Sequence, residues 1–101
     1  MSDVGLAYFK DRKDLTLLSL GCTKVTDAGL AYFKDDKNLT FLDLQSTKVS
    51  DMGLAFFKDC KKMTNLRLQG TKATAAMIEE LKKALPQCKI EWDGGVIEPK
   101  R

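Results

Sequence analysis

What most constrains this chain is that it repeats itself. The segment KVTDAGLAYFKDDKNLTFLDLQSTKV, residues 24–49, is preceded by SDVGLAYFKDRKDLTLLSLGCTKV and followed by SDMGLAFFKDCKKMTNLRLQGTKA. Leu15, Leu39 and Met63 occupy equivalent positions, as do Leu18, Leu42 and Leu66, and then Leu20, Leu44 and Leu68, always 24 residues apart. Adjacent copies match at roughly two-thirds of positions, and a constant period in this range marks stacked structural units. A period without insertions argues against two pseudo-symmetric halves. The expectation is three like units of 24 residues and a closing fourth.

Each unit carries two periodicities. LTLLSL, LTFLDL and MTNLRL place leucines two apart, which predicts a short strand with one buried face. TDAGLAYFKD places Leu30 and Phe33 three apart, as on one turn of helix. Thr26 and Ser50 precede it as N-caps, and Asp27 and Asp51 follow in the first turn, where a carboxylate favours the positive end of the helix dipole. Lys34 and Lys58 fall at the opposite end. Neither half can bury its apolar face alone. Stacking aligns the strands into a parallel sheet and the helices into a second layer, an α/β architecture with a continuous core. Gly5, Gly29 and Gly53 recur in register and are expected to let each helix backbone lie close to its neighbour.

The pattern L-x-x-L-x-L-x-x-T-x-V, as in LTFLDLQSTKV (39–49), resembles the leucine-rich repeat. It is similar to the subtype reading VTDAGL found in bacterial, many of them planctomycete, proteins. A longer, cysteine-containing relative occurs in F-box substrate-recognition subunits. The resemblance spans about residues 2–92 and implies a solenoid with its short parallel sheet on the concave face and helices on the convex face. Thr23, Thr47 and Thr71 stand where the family has Asn or Cys. Their hydroxyls are expected to continue the family's turn-to-turn ladder.

The last unit differs. Thr74 keeps the N-cap position, but Ala75 replaces Asp and Met77 replaces Gly. Ile78, Leu81 and Leu85 predict a longer amphipathic helix stopped by Pro86, and Ile90 and Trp92 fall in the strand columns. Glu80 stands in the column of Tyr8, Tyr32 and Phe56, giving the outer side a polar residue. Residues 74–92 therefore read as a C-terminal cap, 1–93 as one repeat domain, and 94–101 as a flexible tail. Met1 shares the column of Val25 and Val49, so the first unit opens on a repeat boundary. Strand one is then expected as an uncovered, apolar, parallel edge. Either the chain is a piece of a longer array or something covers that edge.

Composition limits the chemistry. There is no histidine, which removes the commonest general base and the usual partner of a Ser or Cys nucleophile. Asp3, Asp27 and Asp51 are accounted for as helix residues, and Gly94-Gly95 lacks the Lys-Ser/Thr of a phosphate loop. Cys22, Cys60 and Cys88 lie in three different columns, so no shared metal site is expected. Cys60 could be activated by Lys61 and Lys62, but an inert exposed thiol on the outer side is the plainer expectation. With no signal-peptide pattern or membrane-length apolar run, free thiols point to a reducing, cytoplasmic setting. The net charge is +3, of which Lys100 and Arg101 supply two. Lysines form columns at Lys24/Lys48/Lys72 and Lys10/Lys34/Lys58/Lys82, but Asp11, Asp35 and Asp59 follow the second column and no aromatics interleave. No nucleic acid, membrane, cofactor or metal is expected, and no enzymatic activity.

The open sheet face is the better candidate. The residues alternating with the buried leucines form columns: Leu17, Phe41, Asn65, Lys89; Ser19, Asp43, Arg67, Glu91; and Gly21, Gln45, Gln69, Asp93. The units agree in their core and differ here. Leu17 beside Phe41, with Arg67 near, has the composition of a binding hot spot. Alternatively Asp43, Arg67 and Glu91 only pair across strands. The expected function is a protein-interaction module using Leu17, Ser19, Phe41, Asp43, Gln45, Asn65, Arg67 and Gln69. The alternative is a self-associating structural protein, a homo-oligomer through its N-terminal edge strand.

Overall fold

The computed structural model describes residues 3–6 and 15–99. Met1, Tyr8, Lys10, Asp11, Lys100 and Arg101, named above, lie outside them. One five-stranded sheet runs β1 (Leu17–Ser19), β2 (Phe41–Asp43), β3 (Asn65–Arg67), β4 (Lys89–Trp92) and β5 (Gly95–Ile97), in spatial as in chain order. The first four strands are parallel, with Leu18 beside Leu42, Leu42 beside Leu66, and Leu66 beside Ile90. The register shift between neighbours equals the sequence period, so equivalent residues of successive units are lateral neighbours. The strands are short, but their pairing continues into the following turns, where the Leu20 and Cys22 amides donate to the Asp43 and Gln45 carbonyls (both 2.8 Å).

Helical segments precede each parallel strand: α1 (Asp3–Leu6), α2 (Asp27–Leu30), α3 (Asp51–Leu54) and α4 (Ala75–Ala84). α2 and α3 each hold a single α turn and then tighten into 3-10 turns, Ala31–Phe33 and Ala55–Phe57. A 3-10 turn superimposes residues three apart. That aims Leu30 with Phe33, and Leu54 with Phe57, into the core, where all four are fully buried. α4 is the longer helix expected of the closing unit. Thr74 caps it by accepting from the Met77 amide (3.2 Å), and it ends just before Pro86.

The units are joined by a carboxylate ladder. The Thr26 amide and hydroxyl donate to the two oxygens of Asp3 (2.8 and 2.5 Å). Ser50 does the same to Asp27 (2.7 and 2.5 Å), and Thr74 to Asp51 (2.9 and 2.6 Å). These aspartates therefore do more than complement a helix dipole, because each holds the start of the next helix. Thr26 and Thr74 also accept a capping bond from their own helices, whereas Ser50 makes none. The close approach explains the recurring glycines. A Cβ at Gly29 would lie 2.3 Å from Asp3 Oδ1, and one at Gly53 2.3 Å from Asp27 Oδ1. Unit four has Ala75 in the aspartate column, and its strand β4 is followed by the antiparallel Gly95–Ile97 strand rather than by a further helix.

Two expectations about hydrogen bonding and burial are corrected. Thr23, Thr47 and Thr71 do not bridge turns; each hydroxyl donates back to a carbonyl three residues earlier, Leu20, Leu44 and Leu68 (2.7, 2.8 and 2.8 Å). The turn-to-turn hydroxyl bonds come from another column, Thr40 to the Thr16 carbonyl (3.0 Å) and Thr64 to the Thr40 carbonyl (3.1 Å). Cys60 is not an exposed thiol. It is fully buried, and its Sγ donates to the Asp36 carbonyl of the preceding unit (3.5 Å). Burial raises its pKa above the ordinary value, outweighing the lowering effect of nearby Lys37. Cys88 is buried too, and its pKa is pushed up to about 12 by desolvation, while Cys22 is exposed.

The segment from Gly94 onward, expected as a loose tail, supplies β5. This strand runs antiparallel to β4, with Trp92 opposite Gly95 and Ile90 opposite Ile97. Its Ile97 packs against the core. The core itself is one cluster between sheet and helices, from Leu6 and Leu20 to Leu85 and Ile90. Leu15 and Leu18 of the first unit are only partly buried, whereas Leu39 and Leu42 in the same columns are fully buried.

Candidate interaction face

Strand alternation sets the site. Leu42 and Leu66 point into the core, so their neighbours Phe41, Asp43, Asn65 and Arg67 emerge on the other side of the sheet. Because strand register equals the repeat length, Leu17, Phe41 and Asn65 lie side by side, as do Ser19, Asp43 and Arg67. Gln45 and Gln69 follow in the turns after β2 and β3. All eight residues singled out in the sequence are thus brought onto one open face, and Lys89 and Glu91 continue its rows onto β4. Leu17 is 60% exposed, while Phe41 beside it is half-buried.

The polar groups differ in how firmly they are held. Asp43 Oδ1 accepts from both the Gln45 amide (3.0 Å) and the Gln45 Nε2 (3.2 Å), fixing the carboxylate against its own strand end. Arg67 Nε stands 3.3 Å from Glu91 Oε2, an ion pair without the alignment of a hydrogen bond. The row Asp43, Arg67, Glu91 therefore pairs on one side only. Gln69 Oε1 is shielded from solvent and accepts no hydrogen bond. Asp93 extends the third row, and its carboxylate accepts from the Gly70 amide (2.9 Å).

Val96 belongs to this face and was missed. It lies opposite Glu91 on β5 and is 52% exposed. The missed signal was Asp93-Gly94 between two apolar pairs, a strong short-range mark of a two-residue hairpin.

Of the lysine columns Lys58 makes an ion pair, and two lysines outside the columns, Lys37 and Lys62, make further local contacts. Lys58 pairs with Glu80, the polar residue of the closing unit, Lys37 lies 3.9 Å from Asp59, and Lys62 donates to Asn38 (3.0 Å). Among the described residues no group of three or more His, Cys, Asp or Glu side chains is arranged to hold a metal, and no helix is long and apolar enough to cross a membrane. No protein-family model matches this chain, and no curated protein matches it.

Proposed function

We propose that the chain is a leucine-rich-repeat solenoid in the cytoplasm whose concave sheet face binds a partner protein without enzymatic activity. The carrying observation is the apolar step of exposed Leu17 and half-buried Phe41, set beside a polar row on a sheet face that no described element covers. An exposed leucine alone is unremarkable. Here it abuts an aromatic, and Arg67 lies on the same face one strand beyond Phe41; aromatic and arginine side chains dominate binding energy at protein interfaces. The equality of register and repeat length, with leucines stacked in columns, supports the solenoid reading. The absence of histidine from the sequence and the burial of the Cys60 and Cys88 thiols, which raises the pKa of both, favour binding over catalysis.

The test is affinity capture on the immobilised chain followed by titration of the captured protein. The double variant Phe41→Ala/Arg67→Ala weakens that binding at least tenfold and leaves the thermal midpoint within a few degrees. Retained affinity, or a collapse in stability, would make these residues scaffold instead.

A second reading has its own observation. Leu15 and Leu18 remain partly buried, Leu17 is exposed, and no described strand pairs with the outer edge of β1. Self-association through that edge would complete the burial. Light scattering across a wide concentration range then gives a discrete dimer that Leu17→Asp splits. A monomer at all concentrations counts against it.

A further inference from the structure

Among the described residues, each acidic side chain on the open face keeps one oxygen without a hydrogen-bond or ion-pair partner, and Asp43 is the one that lies beside the apolar pair. The face carries Asp43, Glu91 and Asp93 against Arg67 and Lys89. Arg67, the cross-strand neighbour of Asp43, is engaged with Glu91. Asp93 accepts from the Gly70 amide. Asp43 uses Oδ1 for Gln45, but its Oδ2 receives no hydrogen bond and no cationic side chain pairs with it. On the β1 side stands Gly21 rather than a side chain. A Cβ there would touch the Asp43 carboxylate at 3.4–3.6 Å, so glycine leaves that flank of the carboxylate clear.

Two residues along the strand, about 7 Å away, Phe41 and the exposed Leu17 form an apolar ledge on the same face. A fixed carboxylate with free lone pairs beside a hydrocarbon and aromatic ledge complements a cationic head on an apolar stem. A guanidinium suits it better than an ammonium. Its planar set of donors can meet the carboxylate while its stem and plane lie over an aromatic ring.

We infer that Asp43, with Phe41 and Leu17, is a subsite for an arginine of the partner, presented next to an apolar residue that covers Leu17. This rests on the reading of the open face as a binding surface and names the chemistry it selects. An acidic segment is rejected at the same place by the uncompensated Asp43 charge.

The experiment is selection of displayed random dodecapeptides on the immobilised full chain. A synthetic copy of the leading clone is then titrated by fluorescence anisotropy. The expected clones carry arginine adjacent to a leucine or aromatic residue. Binding falls at least tenfold on Asp43→Asn, which retains an oxygen for Gln45, and equally when citrulline replaces the peptide's arginine. The citrulline arm needs no protein variant, so a folding defect in Asp43→Asn would not obscure the result. Clones without a basic residue, or with undiminished affinity for Asp43→Asn, that are still lost on Phe41→Ala overturn the arginine subsite and leave the binding face standing. Clones indifferent to both Asp43→Asn and Phe41→Ala, or no enriched clone at all, overturn both.

Discussion

Gly53 and Asp27 lie in different units and should behave as one energetic element. In an ordinary helix, replacing glycine by alanine is stabilising by up to about 1 kcal/mol. Here the sign reverses, because a Cβ on residue 53 would lie 2.3 Å from Asp27 Oδ1 and 3.0 Å from Leu30 Cδ1. The carboxylate can retreat only by releasing the Ser50 amide and hydroxyl, which it accepts at 2.7 and 2.5 Å. Hydrogen bonds to charged groups contribute about 1.5–3 kcal/mol each. Losing most of two, less the helix-propensity gain, makes Gly53→Ala destabilising by about 2–4 kcal/mol. Asp27→Ala loses the same bonds and costs a similar amount. With the carboxylate already gone, alanine at 53 meets only the flexible end of Leu30, so the double variant is about as stable as Asp27→Ala alone. The coupling energy then equals the cost of Gly53→Ala, about 2–4 kcal/mol, well above what independent sites show. Urea unfolding at pH 7, followed by far-ultraviolet circular dichroism, measures all four corners of the cycle. Additive effects, or a Gly53→Ala protein as stable as the parent, would refute the ladder as the reason for the glycine.

Three further predictions concern the thiols and the turns. In the folded protein at pH 8, Ellman's reagent titrates Cys22 rapidly, and the buried Cys60 and Cys88 react only after denaturant is added. Folded Cys88 holds its proton to about 12, whereas the unfolded thiol ionises near its ordinary 9.0. The folded state therefore binds more protons than the unfolded one in this window, so stability falls as pH rises from about 9 toward 12. Cys88→Ala flattens that slope in urea midpoints measured against pH. Cys22, Ser46 and Gly70 occupy one turn column with φ of 61°, 57° and 76°. Ser46→Gly should leave stability unchanged or raise it by up to about 1 kcal/mol, while Gly70→Ala should lower it by about 1–2 kcal/mol; equal effects in thermal unfolding would disprove the strain argument.

The open-face residues were legible from the sequence because their placement needs only two periods. Alternation along the strand sends Phe41 and Asp43 outward, and the 24-residue repeat sets Leu17 beside Phe41 and Asp43 beside Arg67. The closing unit was legible for the same reason, since Thr74, Pro86 and the Ile90/Trp92 pair keep or break the pattern at known positions. Partner choice was not. Threonine 23 and threonine 40 are both short β-branched donors near a strand. Which one bridges turns depends on whether the neighbouring unit's carbonyl or the residue's own is within reach. Cys60 was misplaced by its lysine neighbours in sequence, although its Sγ contacts the Asp36 carbonyl 24 residues earlier.

The sequence by itself determined the repeat length, the alternation of strand and helix, the parallel register and the side chains turned away from the core. These follow from local periodicity and from copies of one unit having to stack alike. The tertiary structure alone decided that Asp27 grips Ser50, that Gly53 must lack a Cβ, and that Arg67 turns to Glu91 and leaves Asp43 Oδ2 open. Each depends on a distance of a few ångströms between groups remote in the chain. Composition and periodicity place such groups in the same column or row, but only packing brings them within hydrogen-bond reach.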